Sequence, residues 1–318
     1  MKTRIAAIPR RNVIGCGMAS LALTRAAWAE PQAGFEPLPA QVKIKDRQLT
    51  TAVWIDGKGP FHFIVDTGAD HSVIAADVAQ ALRLPVGHDV MVQGIIRAVP
   101  APSVPVRELR FGSVVRDNLQ MPVLPRMLLK ADGFLGLDAI GNHRVVFDFK
   151  KQTLRVSDPL PAEFVVHRGT NETYIEAPGD AGHLRSLACR VEGVITTAFI
   201  DTGAEVSVGN EALRRALTAI GPGYAGGRDI ELTGITGGSR TGKVVKVETI
   251  LLGNLEFTGC EIAVADLDVF KIWDLVDSPA LLIGLNFLRE FKTVVIDYGR
   301  KEFRLKLASS PWVNKKHG

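Results

Sequence analysis

Apolar and polar positions alternate in short runs along much of the chain, and glycine-containing turns separate these runs. Residues 244–251 and 255–264 show the alternation, which is typical of half-buried β-strands. Helical spacing occurs in short stretches, at residues 75–82 and 210–217, and Asn210 is a favourable N-cap for the second. The pattern therefore predicts a mainly β protein with short helices.

The same series of segments occurs twice. A strand runs into Asp-Thr-Gly-Ala at residues 66–69 and again at residues 201–204, and a helical stretch follows each copy. Further on, Phe-Leu-Gly-Leu at residues 134–137 corresponds to Leu-Ile-Gly-Leu at residues 282–285, and two strands around a turn follow each. The period is far too long for a solenoid. The repeat therefore predicts two homologous lobes on one chain.

The repeat also sets the expected domain boundaries. We predict a first lobe over residues 45–157, an interlobe linker over 158–167 and a second lobe over 168–307. The proline-containing residues 30–44 are predicted as an N-terminal linker, and a propeptide that blocks the site is the open alternative. Residues 308–318 are predicted as an exposed tail.

Residues 1–29 have the features of an export signal peptide. A basic stretch ends in Arg10 and Arg11, an apolar stretch follows to about Leu23, and Ala27-Trp28-Ala29 offers a cleavage site. The arginine pair resembles the twin-arginine type, and the ordinary secretory route stays open. The apolar stretch is too short to span a bilayer. We therefore expect an exported protein, in the periplasm of a bacterium, without stable membrane insertion after cleavage.

Composition and charge narrow the function classes. The chain is 46% apolar and 23% charged, as expected of a globular protein. The formal net charge of +4 depends on five basic residues within the signal peptide, which contains no acid. The remaining chain has 33 basic and 34 acidic residues, a net charge of −1. This net charge would not attract the chain to nucleic acid.

Two cysteines, Cys189 and Cys260, remain after the signal peptide. An oxidising compartment would permit a disulfide between them, and two separate buried thiols fit the sequence equally well. The histidines are scattered without metal-ligand spacing, so we expect no metal and no cofactor.

The repeated motif carries the candidate chemistry. Glycine after Asp-Thr lets the backbone turn tightly and approach another group closely. The hydroxyls of Thr67 and Thr202 can bond the backbone of the opposite loop and hold the two loops face to face. Asp66 and Asp201 then lie within hydrogen-bond reach and share a proton, because two close carboxylates do not both ionise easily. Such a pair can activate a water and polarise a carbonyl, which suffices to hydrolyse an amide.

These paired motifs resemble those of pepsin/retropepsin-type aspartic proteases, and Asp-Thr-Gly-Ala is closer to the retroviral-like branch. The resemblance spans roughly residues 45–156 and 168–307. It implies two retropepsin-like β-barrel lobes with an active-site cleft between them, and a monomer that completes the site. The residues that it implies for the site are the dyad Asp66 and Asp201, and the loop supports Thr67, Gly68, Thr202, Gly203, Gly136 and Gly284.

The resemblance also implies flaps, which are β-hairpins that close over the substrate. The matching residues are Gly94 and Ile95 in the first lobe, and Gly234 and Ile235 in the second. The implied function is an aspartic endopeptidase that acts on a peptide or protein substrate. The alternative is a catalytically silent peptide-binding module of the cell envelope with the same fold.

One difference from pepsin bears on pH dependence. Pepsins follow Asp-Thr-Gly with a hydroxyl residue that bonds the carboxylate, whereas Ala69 and Ala204 occupy this position here. Without that donor, the ionised form of the dyad should be less stable than it is in pepsin. We therefore expect a less acidic pH optimum than that of pepsin.

Overall fold

The structure is a computed structural model that describes residues 40–45, 48–141, 143–158, 172–176, 185–253, 255–307 and 313–315. The strands of the first half are β1 (Ala40–Lys45), β2 (Gln48–Ile55), β3 (Lys58–Val65), β4 (Val73–Ala75), β5 (Asp89–Gln93), β6 (Ala98–Phe111), β7 (Val114–Leu124), β8 (Gly133–Leu135), β9 (Arg144–Asp148) and β10 (Thr153–Ser157). Those of the second half are β11 (Glu172–Glu176), β12 (Arg185–Val191), β13 (Val194–Ile200), β14 (Val208–Gly209), β15 (Arg228–Thr233), β16 (Ser239–Leu252), β17 (Leu255–Val264), β18 (Ala280–Ile283), β19 (Phe291–Asp297), β20 (Glu302–Leu307) and β21 (Val313–Lys315).

Short helices interrupt the strands at matching places in the two halves. They are α1 (Ala76–Leu82), α2 (Arg126–Leu129), α3 (Leu137–Ile140), α4 (Glu211–Ile220), α5 (Asp268–Ile272) and α6 (Leu285–Leu288). From β1 to β10 and from β11 to β20 the strands and α-helices follow one order. A 3-10 helix (Pro222–Tyr224) and β21 are additions to the second half. The internal duplication predicted from the sequence is therefore present in the order of the elements.

In each half, six of the described strands pair in a closed ring. In the first, β2 pairs with β3, and the ring continues through β8, β4, β7 and β6 back to β2. In the second, the equivalent ring runs through β12, β13, β18, β14, β17 and β16. The predicted fold class, mainly β with two homologous barrel lobes and short helices, is confirmed.

A sheet that both lobes share connects the two barrels. Its antiparallel order is β11, β20, β19, β9, β10 and β1. The hairpin β9–β10 and the hairpin β19–β20 were both predicted from the sequence, but their pairing through β9 and β19 was not. Val145, Phe147, Val294 and Ile296 are buried in this sheet. The lobes are thus held together by backbone hydrogen bonds as well as by apolar packing.

The strand ends that lead to the repeated motifs are buried. Phe63, Ile64 and Val65 close β3, and Phe199 and Ile200 close β13. Each of these strands runs parallel to the strand beside it, β8 or β18. A central strand covered on both faces favours a continuous apolar run over an alternating one. This packing fixes the points at which the loops that start at residues 66 and 201 leave their strands.

Two strands lie within the segments predicted as linker and tail. Strand β1 begins at Ala40, inside the linker predicted over residues 30–44, and it pairs with β2 and β10. Strand β21 lies inside the tail predicted over residues 308–318 and pairs with β17. The pairings of β1 with β10 and of β21 with β17 join segments distant in sequence, which a local pattern does not reveal.

Several predictions fall outside the described residues. They concern the signal peptide over residues 1–29 and the interlobe linker over 158–167, of which only Asp158 is described. In the parts of the chain that are described, no helix has the length and apolar character needed to cross a membrane.

The two cysteines do not form a disulfide. Cys189 lies opposite Leu252 on β16, and Cys260 lies opposite Val247 on the same strand. These positions are about 16 Å apart along β16, whereas a disulfide requires Cα atoms within about 7 Å. Of the two alternatives that the sequence left open, the structure has separate thiols. Burial raises the pKa of Cys189 to about 12 and that of half-buried Cys260 to about 11.

Candidate active site

Each aspartate of the repeated motif is the first residue after a central barrel strand. Asp66 follows β3, and its N–H donates to the carbonyl of Leu135 at 3.0 Å. Asp201 follows β13, and its N–H donates to the carbonyl of Ile283 at 3.0 Å. The backbone of both residues is therefore anchored to the neighbouring parallel strand before the loop turns.

The two threonines hold the loops together by reciprocal hydrogen bonds. The Thr67 hydroxyl donates to the carbonyl of Ile200 at 3.0 Å, and the Thr202 hydroxyl donates to the carbonyl of Val65 at 2.6 Å. Each hydroxyl also accepts the backbone N–H of the other threonine at 3.2 Å. Four bonds therefore cross between loops that are 135 residues apart in sequence. The structure brings the two loops face to face.

The two carboxyl groups lie together and are almost buried. Asp66 is 8% exposed and Asp201 is 7% exposed. Asp66 Oδ1 accepts the N–H of Gly68 at 2.8 Å, and Asp201 Oδ1 accepts the N–H groups of Gly203 at 2.8 Å and Ala204 at 3.1 Å. Each motif therefore fixes its own carboxylate with its own backbone.

Burial and the neighbouring carboxylate both act on the acidity of Asp66. Burial raises the pKa of Asp66 well above its ordinary value, and the charge of Asp201 and a hydrogen bond with Asp201 raise it further. Backbone N–H groups of Gly68 and Ala69 oppose part of this rise. The two carboxyl groups therefore influence each other's ionisation, and the pair titrates as a unit.

The motif glycines are required by the close approach of the loops. A Cβ at Gly203 would lie 2.5 Å from Asp66 Cγ, and a Cβ at Gly68 would lie 2.9 Å from Asp201 Cγ. Real Cβ atoms do not approach other heavy atoms so closely, so a side chain at either glycine would displace the opposite carboxylate. The glycine of each loop therefore makes room for the aspartate of the other.

Gly136 and Gly284 pack against the two loops from outside the dyad. A Cβ at Gly136 would lie 2.6 Å from the carbonyl carbon of His71, and a Cβ at Gly284 would lie 2.7 Å from the carbonyl oxygen of Val206. The residue after each glycine bonds the motif loop through its backbone. The N–H of Leu137 donates to the carbonyl of Ala69, and the N–H of Leu285 donates to the carbonyl of Ala204, both at 2.8 Å.

A side-chain pair missed by the sequence analysis supports each loop. Ser72 Oγ donates to Asp138 Oδ1 at 2.6 Å and accepts the N–H of Gly136 at 3.0 Å. In the second lobe, Ser207 Oγ donates to Asn286 Oδ1 at 2.8 Å. The signal was present in the repeat, because both serines follow the motif aspartate at one spacing and both partners follow the later glycine at another.

Tyr298 is a second residue that the sequence analysis did not identify. It follows β19, and its N–H donates to the carbonyl of His143 at 3.1 Å. Burial raises the pKa of Tyr298, and the charges of Asp66 and Asp201 raise it further. The first lobe has Phe149 at the equivalent position. The buried phenol of Tyr298 thus has no counterpart in the first lobe.

The predicted flap residues lie at the tips of two hairpins. Gly94 and Ile95 lie in the turn between β5 and β6, and Gly234 and Ile235 lie in the turn between β15 and β16. The two turns contact each other, since the hydroxyl of Thr236 donates to the carbonyl of residue 97 at 2.8 Å. The structure therefore brings the two predicted flaps together across the lobes.

Among the described residues, no three histidine, cysteine, aspartate or glutamate side chains form a group that could hold a metal ion.

A search of curated proteins found no match to the chain. The sequence model of the aspartyl protease family matches residues 51–139 and 187–287, one region in each lobe and more than half of the chain in total. Each region includes one Asp-Thr-Gly-Ala loop. The chain therefore belongs to the aspartyl protease family.

Proposed function

We propose that this protein is an aspartic endopeptidase that hydrolyses peptide bonds with a water activated between Asp66 and Asp201. The observation that carries the proposal is the pair of nearly buried carboxyl groups, held together by the reciprocal bonds of Thr67 and Thr202. A shared proton gives the pair a general base and a general acid at once.

The ionised member of the pair takes a proton from the water, and the resulting hydroxide adds to the scissile carbonyl carbon. The protonated member donates its proton to the carbonyl oxygen, so that a neutral gem-diol forms. Transfer of a proton to the amide nitrogen and reopening of the carbonyl then break the C–N bond. The products are a carboxylic acid and an amine, and the pair ends with one proton as it began.

The substrate in this proposal is a peptide segment in extended conformation between the dyad and the two flap turns. Its backbone would pair with the hairpins as an added strand does. One chain carries both loops, so a monomer suffices. We further propose export through the signal peptide of residues 1–29, with the enzyme acting in the periplasm of a bacterium.

Cleavage of a diverse peptide library by the wild type, Asp66→Asn and Asp201→Asn tests the proposal. Either substitution should abolish turnover, because the pair loses its base or its shared proton, while circular dichroism stays unchanged. Asp138→Asn is the matched control, since the second lobe already has Asn286 at that place. Full activity in either dyad variant would refute the assignment. Peptide binding without cleavage, equal in all variants, would identify a silent binding module instead.

The pH profile gives an independent measure of the same site. We expect activity to extend to less acidic pH than that of pepsin, because Ala69 and Ala204 provide no hydroxyl that would stabilise the ionised pair. Activity confined to strongly acidic pH would contradict this expectation.

A further inference from the structure

Tyr298 has a buried hydroxyl that the proposed mechanism does not use. The residue is 9% exposed and belongs to the core cluster that also contains Val65 and Ile200, the last strand residues before the two motifs. Its hydroxyl has no hydrogen-bond partner among the residues that the structure describes. A buried polar group without a partner destabilises the fold, so its presence needs an explanation.

The shared sheet directs the ring of Tyr298 towards the barrels. Side chains along a strand alternate between the two faces of its sheet. Val294 and Ile296 of β19 lie on the apolar face, in the same core cluster as Tyr298, whereas Asp297 lies on the other face. The backbone pairing extends past β19, because the N–H of Tyr298 donates to the carbonyl of His143 at 3.1 Å. The phenol therefore lies on the face that packs against the ends of the motif strands.

The two dyad carboxyl groups act electrostatically on this phenol. Burial has the largest effect on the pKa of Tyr298 and raises it, and the charges of Asp66 and Asp201 raise it further. All three side chains are nearly buried, and interactions between charges and dipoles are stronger in such a water-poor region than at the surface. The hydroxyl and the two carboxyl groups consequently share one low-dielectric site.

Other titratable side chains close to Tyr298 either have partners of their own or lie on the opposite face of the sheet. They are His143, Arg144, Asp297, Arg300 and Glu302. Among the described residues, only the dyad carboxyl groups add to the effect of burial on the pKa of Tyr298. The dyad is therefore the charged group to which this hydroxyl can respond.

A hydroxyl that no acceptor fixes can rotate about its C–O bond. Its hydrogen points towards the pair when the pair is negatively charged, and it loses this preference when both carboxyl groups are protonated. We propose that Tyr298 is a positioning residue whose hydroxyl stabilises the negative charge shared by Asp66 and Asp201. It opposes the effect of burial and helps to keep one carboxyl group ionised, as the base of the proposed function requires. The proposal rests on that function only for its effect on turnover.

Replacing Tyr298 by phenylalanine removes the hydroxyl and keeps the ring. The first lobe already has a phenylalanine, Phe149, at the equivalent position. Without the hydroxyl the ionised pair is less stable, so the pair should bind its proton about threefold to tenfold more tightly. The acidic limb of the kcat/KM profile should move to higher pH by the corresponding amount, because the base must lose that proton before it can act.

Titration of the aspartate carboxyl carbons by 13C NMR measures the proton affinity without any substrate. Asp66→Asn and Asp201→Asn assign the two signals in protein labelled at aspartate. Tyr224→Phe is the matched control, because it removes a phenol hydroxyl that interacts with Glu192 and should move neither signal. Titration curves of Tyr298→Phe that coincide with those of the wild type would overturn the proposal.

The same titration distinguishes the two proposals from each other. If the wild type cleaves no peptide but the curves of Tyr298→Phe are shifted, the proposed function fails and the role of Tyr298 is supported. If peptide is cleaved and neither the curves nor the pH profile shift, the proposed function is supported and the role of Tyr298 is refuted.

Unfolding measured across pH separates an electrostatic role from a role in packing. Where the pair is fully protonated, Tyr298→Phe should be at least as stable as the wild type, because it lacks a buried hydroxyl without a partner. This advantage should decrease as pH rises through the ionisation of the pair, since the wild-type hydroxyl then stabilises a charge. A loss of stability that is equal at every pH would assign Tyr298 to packing alone and overturn the proposal.

Discussion

Replacing Thr202 by valine should separate the role of its hydroxyl from that of its shape. Thr202 is fully buried, and its Oγ1 donates to the carbonyl of Val65 and accepts the N–H of Thr67. Valine fills the same volume but leaves both backbone groups without this partner. A buried polar group left unsatisfied costs about 1–3 kcal/mol. We therefore expect Thr202→Val to lower the free energy of unfolding by about 3 kcal/mol.

Urea unfolding at neutral pH measures this loss. The dependence of the free energy of unfolding on urea concentration should be the same as in the wild type. Peptide turnover should fall by about a hundredfold, because small displacements of catalytic groups have effects of this size. Thr202→Ser is the control: it keeps the hydroxyl, loses one methyl group and should cost about 1 kcal/mol. Thr67→Val should match Thr202→Val, since its bonds are reciprocal. A cost for Thr202→Val no greater than that for Thr202→Ser would show that the hydroxyl bonds contribute nothing to the stability of the two loops.

Two further predictions concern the carboxyl pair. Because the folded chain raises the pKa of Asp66, it binds the proton more tightly than the unfolded chain, and the free energy of unfolding falls as pH rises from the ordinary carboxyl value through the raised one. Asp66→Asn should remove this pH dependence. At neutral pH it should also raise the free energy of unfolding by about 1.4 kcal/mol for each unit by which titration shows the pKa of Asp66 to be raised. Unfolding curves of the variant with the pH dependence of the wild type would contradict this prediction. Gly203→Ala should displace the Asp66 carboxyl and reduce turnover by at least about a hundredfold, whereas Gly226→Ala, with no atom within 4 Å, should not. Equal losses in kinetic assays of both glycine variants would remove the steric explanation.

Much of the fold was predictable because the sequence contains an internal duplication. A single Asp-Thr-Gly-Ala loop has many interpretations, but two copies with matching strands, helices and later glycines define homologous lobes. The buried runs before Asp66 and Asp201 correctly indicated central strands, since a strand covered on both faces needs apolar residues throughout. The contact between the two loops was likewise predictable from the chemistry of a threonine beside a carboxylate.

Other site residues carried a weaker signal. The pair Ser72 and Asp138 of the first lobe corresponds to the pair Ser207 and Asn286 of the second. The change from a carboxylate to an amide hides this equivalence in the sequence. It becomes visible in the structure, where Asp138 and Asn286 each accept a hydrogen bond from the serine hydroxyl of their own lobe. Tyr298 has no polar counterpart in the first lobe, so the repeat gave no reason to select it. A residue that occurs once in a duplicated chain is recognised from its neighbours in space.

The pattern of residues was sufficient to specify the two lobes, the repeated loops and the chemical groups that they present. Three features are apparent only in the folded chain: β9 pairs with β19, Cys189 and Cys260 lie apart, and Ile96 of one lobe is buried in the other. The difference comes from the range of the interactions. Apolar periodicity and turn residues act over a few positions, whereas strand partners and interlobe contacts depend on how two complete barrels meet, which no local pattern encodes.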